Sequence, residues 1–146
     1  MIPDFAENGN LPPGCYTASW GEIVDRFGFT PHRMTLAGGL RAAAFALQSA
    51  GCRRLYVNGS FTTAIRIPGD FDACWDTQGV DPNRLDPVLK SFANGRAAQK
   101  AKYFGELFPA GFLANLSGRT YLQFFQLDKH TGEAKGILLL DLRSFS

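Results

Sequence analysis

The stretch that decides the fold is residues 54–75, which read RLYVNGSFTTAIRIPGDFDACW. A first strand is predicted over Arg54–Val57, because this short run is rich in apolar and strand-forming residues. A second strand is predicted over Asp70–Trp75, where polar and apolar residues alternate. Gly59-Ser60 then forms a tight turn after the first strand, because both residue types are common in turns. The sequence therefore predicts two strands with a phosphate-sized turn between them.

Two carboxylates lie at the start of the second predicted strand. Side chains two positions apart on a strand share a face and lie roughly 6.5 to 7 Å apart along the backbone, so Asp70 and Asp72 can bind one divalent ion or an adjacent pair. The alternate residues face the core: Phe71, Ala73 and Trp75. A phosphate-sized turn ahead of paired acids indicates metal-assisted chemistry on a nucleotide. Taken singly, a Gly-Ser turn and exposed strand acids are ordinary surface features.

A family resemblance rests on two segments, Gly59-Ser60-Phe61-Thr62-Thr63 and Pro68-Gly69-Asp70-Phe71-Asp72. Together they resemble the signature of the DNA polymerase beta-like nucleotidyltransferase superfamily, especially its minimal nucleotidyltransferases. The resemblance implies that Gly59 and Ser60 hold the triphosphate of an NTP and that Asp70 and Asp72 hold Mg²⁺ or Mn²⁺. Asn58 departs from the pattern, in which a hydrophobic residue usually precedes the glycine.

The resemblance also implies a third acid on a later strand. A strand is predicted over Tyr103–Phe108, ended by Pro109, and Glu106 is its only acid. Glu106 is therefore expected to complete the catalytic and metal-binding set with Asp70 and Asp72, although members of the superfamily more often carry Asp there. The alternative is an exposed strand acid without a role. Weaker substitutes for the third acid are Asp76, Asp128 and Asp141.

Polar residues of the loop between the two halves of the motif are further nucleotide-binding candidates. Backbone amides around Thr62 and Thr63 and the guanidinium of Arg66 are suited to phosphate oxygens. Lys135 precedes a predicted strand over Ile137–Leu142. It would supply a positive charge to a phosphate, but a solvated turn lysine is the interpretation that we favour from sequence.

A second resemblance covers most of the chain and points to an uncharacterised prokaryotic family with nucleotidyltransferase-like motifs. It supports the fold but names no substrate. The stretches that carry it are Ile2-Pro3-Asp4-Phe5, Leu11-Pro12-Pro13-Gly14, Phe108-Pro109-Ala110, Phe124-Phe125-Gln126 and Lys135-Gly136-Ile137.

Length and composition favour one domain. The chain has 146 residues, of which 45% are hydrophobic, enough for a single core. We expect an α+β fold, a nucleotidyltransferase-like palm with a small mixed sheet packed against helices, spanning 1–146 with an extended N-terminal arm over about residues 1–16. Capping patterns predict helices that end at Gly28 and Gly51. A helical stretch interrupted at Gly95 is predicted from Asp81 through Lys102, and a further helix is predicted after Ser117.

Charge and cysteine usage exclude several classes. The net charge of +2 is too mild to indicate a nucleic-acid surface. The three cysteines show no paired spacing, which argues against a disulfide scaffold and a zinc site. No apolar run approaches the roughly 20 residues of a membrane span, so the expected location is the cytoplasm, without a membrane partner.

The leading functional hypothesis is a metal-dependent nucleotidyltransferase that moves NMP from an NTP to a protein or RNA acceptor, such as a transfer RNA end. The resemblance implies a toxin-antitoxin or defence pair, with a protein partner encoded nearby or self-association. One alternative is a catalytically inactive nucleotidyltransferase-like module that binds a partner as an antitoxin or scaffold. A nuclease or a glycosyltransferase would use the paired acids but would leave the Gly59-Ser60 turn unexplained.

Overall fold

A mixed β-sheet organises the chain. The computed structural model describes residues 1–114 and 118–146, and in these residues the sheet has five strands in the order β1-β5-β2-β3-β4. The outer pairs, β1 with β5 and β3 with β4, are parallel, whereas β2 is antiparallel to both β3 and β5. The strands are β1 Gly14–Thr17, β2 Arg54–Asn58, β3 Phe71–Trp75, β4 Gly105–Pro109 and β5 Gly136–Asp141.

Two of the described helices, α1 over Trp20–Phe27 and α2 over Pro31–Ser49, begin at side-chain caps that local chemistry favours. In α1, Ser19 and Glu22 form the predicted capping box, and Gly28 ends the helix. In α2, Thr30 caps the first turn and proline occupies the first position. None of these helices combines the length and apolar character needed to cross a bilayer. The bounds are α1 Trp20–Phe27, α2 Pro31–Ser49, α3 Ala93–Tyr103 and α4 Tyr121–Phe124, with short 3₁₀ turns at Ser60–Thr62 and Pro87–Lys90.

The two faces of the sheet have different environments. Phe71, Ala73 and Trp75 are buried in the main core, as their alternation predicts, in the same cluster as Leu40 and Leu47 of α2. The opposite face carries a smaller buried cluster, formed by Cys74, Ala110, Phe108, Phe125 and Ile137. Asp72 lies on this second face, because it alternates with Phe71 and Ala73 along β3.

Several element boundaries differ from the sequence-based expectation. The N-terminal arm ends in a strand, because Gly14–Thr17 pairs with β5. The helix expected from Asp81 does not form over residues 81–86. Instead, the Asp86 side chain accepts from the N–H of Val88 and starts a 3₁₀ turn, and Pro87, which fixes its own φ, restricts Asp86 to an extended backbone. The predicted cap Ser117 lies outside the described residues.

The last predicted helix nevertheless has a counterpart. Thr120 caps α4, and its hydroxyl accepts from the N–H of Gln123. These findings establish a mixed α+β architecture, in which α2 packs on one face of the sheet and α4 packs on part of the other face.

Candidate functional site

Three acids converge at one end of strands β3 and β4. Asp70 immediately precedes β3 rather than beginning it, Asp72 lies within β3, and Glu106 lies directly across from Asp72 on the parallel strand β4. One carboxylate oxygen from each residue lies within 4.8 Å of the others. We call Asp70, Asp72 and Glu106 the acidic triad. Clustered carboxylate oxygens are the ligands that Mg²⁺ and Mn²⁺ prefer, so the donor set fits such an ion.

The Gly59-Ser60 turn lies directly against this triad. Gly59 has a φ of 87°, in the region that favours glycine, and a Cβ there would lie 2.8 Å from the backbone nitrogen of Asp72. The Ser60 hydroxyl donates to the Asp70 carbonyl at 3.3 Å. Glycine is therefore required for the close approach of the turn to β3.

Burial and mutual repulsion shape the protonation of the two aspartates. Burial, followed by the charges of Asp70 and Glu106, raises the pKa of Asp72 to about 7. Burial and then the charge of Glu106 raise the pKa of Asp70 as well. Both shifts reflect negative charge confined in a partly dry site, and a bound cation would relieve them.

Two cationic side chains compensate the negative charge of Glu106. Oε1 of Glu106 accepts from Nε of Arg96 at 3.1 Å and from its Nη2 at 2.8 Å, and Nζ of Lys100 lies 3.2 Å away. Although burial alone would raise the pKa of Glu106, these hydrogen bonds hold it below its usual value. Arg96 has a φ of 63° in a left-handed turn with Asn94 and Gly95. An arginine rarely adopts this backbone.

A cleft of about 220 Å³ extends from the triad and is lined by both segments of the motif. We call it the Lys135 cleft. The side chain of Lys135 borders it, and burial lowers the pKa of this ammonium. This placement differs from the solvated turn lysine that sequence favoured. Its other lining residues include Asn10, Gly59, Ser60, Thr63, Asp70, Asp72, Asp128, Lys129 and His130.

The N-terminal arm forms one wall of the Lys135 cleft. Asn10 donates to the carboxylate of Asp128 at 2.8 Å, and the carbonyl of Gly9 accepts from Ala64 at 3.0 Å. No local motif predicts this contribution, because the arm meets the cleft only through long-range contacts.

The other candidates from the motif loop lie in different environments. Thr63 borders the Lys135 cleft, and its hydroxyl donates to the Ser60 carbonyl at 2.7 Å. Thr62 is buried, with its hydroxyl donating to the Gly59 carbonyl. Arg66 is exposed and is not among the described residues that line the cleft.

The substitutes for the third acid have other partners. Asp76 lies at the far end of β3, where its carboxylate is 3.7 Å from Arg54. Asp141 pairs with Arg143 at 2.8 Å. Asp128 lines the Lys135 cleft but accepts backbone N–H groups of its own turn from His130 and Thr131. Glu106 is thus the acid that joins Asp70 and Asp72.

A buried arginine, which the sequence-based interpretation missed, holds the motif loop. Arg33, in the first turn of α2, is fully buried, and within the described residues it pairs with no carboxylate. Its guanidinium instead donates to the carbonyls of five residues: Phe27, Ser60, Phe61, Thr63 and Ile65. The only sequence signal is a charged residue on the apolar side of an amphipathic helix.

A second depression lies beside Asp70, away from Lys135. This groove of about 440 Å³ is lined by His32, Thr35, Leu36, Gly69, Asp70, Lys100 and Phe104. We call it the Phe104 groove. Within the described residues, Asp70 is the one residue that borders both the groove and the Lys135 cleft.

These features define a mixed α+β domain with an acidic triad between two surface depressions. The chain belongs to a family of unknown function (DUF6932), which it matches over residues 3–141. No curated protein and no solved structure matches it.

Proposed function

We propose that the protein is a metal-dependent nucleotidyltransferase and that its mixed sheet is a nucleotidyltransferase-like palm. The observation that carries the proposal is the packing of the Gly59-Ser60 turn against Asp72, where a Cβ on Gly59 would lie 3.1 Å from the Asp72 carboxylate. The turn, Asp70 and Asp72 therefore line the same cleft. A nuclease or a glycosyltransferase would use the acids but would leave the Gly59-Ser60 turn without a role.

Different groups of the chain bind different parts of the NTP. The N–H groups of Ser60 and Phe61 open a helical turn, where the turn itself provides no acceptor for them, so they are suited to phosphate oxygens. Lys135 supplies a positive charge at the same cleft. Asp70, Asp72 and Glu106 would hold Mg²⁺ or Mn²⁺, which when bound neutralises triphosphate charge and activates the acceptor oxygen.

The reaction transfers NMP to a hydroxyl of a protein or RNA acceptor. The acceptor oxygen forms a bond to the α-phosphorus of the NTP, the bond from that phosphorus to the bridging oxygen of the β-phosphate breaks, and pyrophosphate leaves. The hydroxyl proton passes to a carboxylate of the acidic triad. Lys135 and the turn amides stabilise the negative charge on pyrophosphate.

One observation favours a second candidate, an inactive module that binds a partner. The oxygen of Glu106 nearest the cations already interacts with both Arg96 and Lys100. These ion pairs compensate the negative charge of Glu106 without a metal ion, as an inactive module would require.

The first experiment measures nucleotide binding by calorimetry with each NTP, in Mg²⁺ and in EDTA. Wild-type protein is expected to bind an NTP only with the metal, because Asp70 and Asp72 otherwise repel the triphosphate. The double variant Asp70→Asn/Asp72→Asn should lose this binding. Asp76→Asn is the matched control, because Asp76 follows the same strand at its far end and should leave binding unchanged. Equal, metal-independent affinity in all proteins would refute the site.

The second experiment separates the enzyme from the inactive module. Protein is incubated with NTP labelled at the α- or the γ-phosphorus, together with lysate of the source organism. Label should reach protein or RNA from the α position alone, because pyrophosphate carries the γ label away. Transfer from the γ position would indicate a kinase, and metal-dependent binding without any transfer would support the binding module.

A further inference from the structure

The Phe104 groove approaches the acidic triad from a different direction than the Lys135 cleft. Asp70 borders both, whereas Ser60 and Lys135 border only the cleft, and Lys100 and Phe104 border only the groove. In phosphoryl transfer, the attacking and leaving oxygens are roughly in line on opposite sides of the phosphorus. If pyrophosphate leaves in the Lys135 cleft, the groove is therefore placed to admit the acceptor.

The groove displays an aromatic ring on a rigid base. Phe104 remains 43% exposed and has a φ of 62°, in a region that phenylalanine rarely adopts. The preceding Tyr103 is buried, and its hydroxyl donates to the Asp86 carboxylate. Gly39 of α2 packs directly against the Phe104 ring, because a Cβ there would lie 2.9 Å from Cδ2 of Phe104. The ring is thus held in position and presented to solvent.

The remaining walls supply positive charge and a fixed edge. Lys100 borders the groove with its side chain 48% exposed. His32 donates from Nε2 to the Pro68 carbonyl, which fixes the loop next to Gly69 and Asp70. Among the described lining residues, Asp70 is the one acid. An exposed ring beside a cation is the combination that binds a stacked base and its phosphate.

We propose that the Phe104 groove binds the acceptor as a nucleotide of single-stranded nucleic acid, whose base stacks on Phe104 and whose backbone phosphate contacts Lys100. The inference rests on the proposed function, since it names the substrate class of that reaction. The hydroxyl of the bound nucleotide attacks the α-phosphorus, its proton passes to a triad carboxylate, and pyrophosphate leaves through the Lys135 cleft. Lys100 pairs with Glu106 at 3.2 Å but keeps its side chain 48% exposed, so its ammonium is accessible to a backbone phosphate, whereas a tyrosine side chain would use the ring alone.

The test measures binding of a fluorescein-labelled hexa-adenylate RNA by anisotropy at low salt. Loss of one stacking platform is expected to weaken binding by about tenfold in Phe104→Ala. Lys100→Gln should weaken it less and lower the salt dependence, because one phosphate contact is removed. Phe112→Ala is the matched control, since Phe112 is 57% exposed but lies outside the groove, and it should bind as wild type does. Melting curves establish that each variant folds.

Calorimetry of Mg-NTP on the same proteins separates the two proposals. Wild-type affinity for Mg-NTP in Phe104→Ala, together with weakened RNA binding, supports the groove. RNA affinity that is undetectable in wild type or equal in Phe104→Ala overturns the groove proposal, as does preferential, Phe104-dependent binding of a tyrosine-containing peptide. Absence of Mg-NTP binding with RNA binding still dependent on Phe104 refutes the nucleotidyltransferase and leaves a nucleic-acid site.

Discussion

At the scale of single residues, Glu106 decides whether the triad is a complete metal site. Its carboxylate lies with those of Asp70 and Asp72 but also pairs with Arg96 and Lys100. We expect Glu106→Gln to keep Mg-NTP affinity nearly unchanged, because Asp70 and Asp72 remain. Transfer should slow by about a hundredfold or more, the usual cost of losing one charge at a transition state.

Single-turnover transfer of α-labelled NTP and calorimetry provide the two measurements for this variant. Glu133→Gln is the control, since Glu133 is exposed and lies outside the triad. Unchanged turnover and an unchanged melting temperature in Glu106→Gln would show that this carboxylate has no catalytic role.

Arg33 carries a second residue-scale prediction. Lysine cannot reproduce the planar set of donors with which the guanidinium reaches five carbonyls, so Arg33→Lys leaves buried acceptors unsatisfied. Each such acceptor costs about 1 to 3 kcal/mol, and we expect a total loss of about 3 kcal/mol, or a fall in Tm of about 10 °C. Arg41→Lys, an exposed position on the same helix, should change little in thermal unfolding. A melting temperature of Arg33→Lys equal to that of wild type would contradict the stabilising role of Arg33 in the motif loop.

Local sequence pattern predicts the site only where its residues are neighbours in the chain, and Glu106 was expected there only from the family resemblance. Gly59, Asp70 and Asp72 belong to one hairpin, so local pattern places them together. Glu106 reaches them because β4 pairs with β3 in a register that a sequence pattern does not determine. Lys135 reaches the cleft through β5, which pairs with β2 rather than with β3. Its burial is a tertiary effect, which is why it was expected to be a solvated lysine.

At the scale of elements, caps were the reliable signal. The starts of α1 and α2 follow from side chains that satisfy the first N–H groups. The first part of the helix expected from Asp81 through Lys102 was wrong because apolar spacing outweighed two prolines in that interpretation. Pro82 and Pro87 interrupt helical hydrogen bonding, so that only a 3₁₀ turn forms over Pro87–Lys90, whereas the later part of the expected helix is present as α3. Strand β1 was missed because its segment is rich in turn residues and gains its pairing only from β5.

Two adjacent glycines of α2 provide a matched test at this scale. Gly38 is exposed, and a Cβ there would meet nothing within 4 Å, whereas a Cβ on Gly39 would overlap the Tyr103 carbonyl oxygen. Gly38→Ala should therefore stabilise the protein by about 0.5 to 1 kcal/mol, because alanine loses less entropy in a helix. Gly39→Ala should destabilise the protein by about 2 kcal/mol or more, because the added Cβ would displace the backbone at Tyr103 and the side chain of Phe104.

Urea unfolding of both glycine variants measures the difference directly. The order of stability is expected to be Gly38→Ala above wild type and wild type above Gly39→Ala. Equal effects of the two substitutions would mean that α2 does not pack against the Tyr103 carbonyl as described.

At the scale of the whole molecule, the arm, the sheet and α2 converge on a site whose charges oppose folding. The Lys135 cleft is lined by Asn10 from the N-terminal arm and by Asp72 from the sheet. Arg33 from α2 donates to a carbonyl of the motif loop. The metal-free protein must confine carboxylates that repel one another, and among the three acids only Glu106 forms direct ion pairs with structural cations within the described residues. Activity and stability are therefore expected to conflict at this end of the sheet.

This conflict predicts how stability depends on pH. The pKa of Asp72 is about 7 in the folded protein and about 3.9 in an unfolded chain, so the folded state binds more protons between these values. The associated stability is fully present below the unfolded pKa and is lost as pH rises through the folded pKa. The raised pKa of Asp70 acts in the same direction. Glu106, whose pKa is lowered, is ionised in both states above about pH 5.5 and contributes no slope there.

We therefore expect the melting temperature of the metal-free protein to fall between pH 5.5 and 8, and Asp72→Asn to flatten this dependence. At pH 8 this variant should be more stable than wild type by about 2 kcal/mol, or about 5 °C in Tm. Mg²⁺ should raise the melting temperature of wild type at pH 8, because it binds the folded state, and should have little effect on Asp72→Asn. Asp76→Asn should follow the wild-type curve, since Asp76 lies outside the triad. If Asp72→Asn instead retains the full wild-type slope, or is less stable than wild type at pH 8, Asp72 does not carry the electrostatic strain, and the proposed reason for a metal ion at this site fails with it.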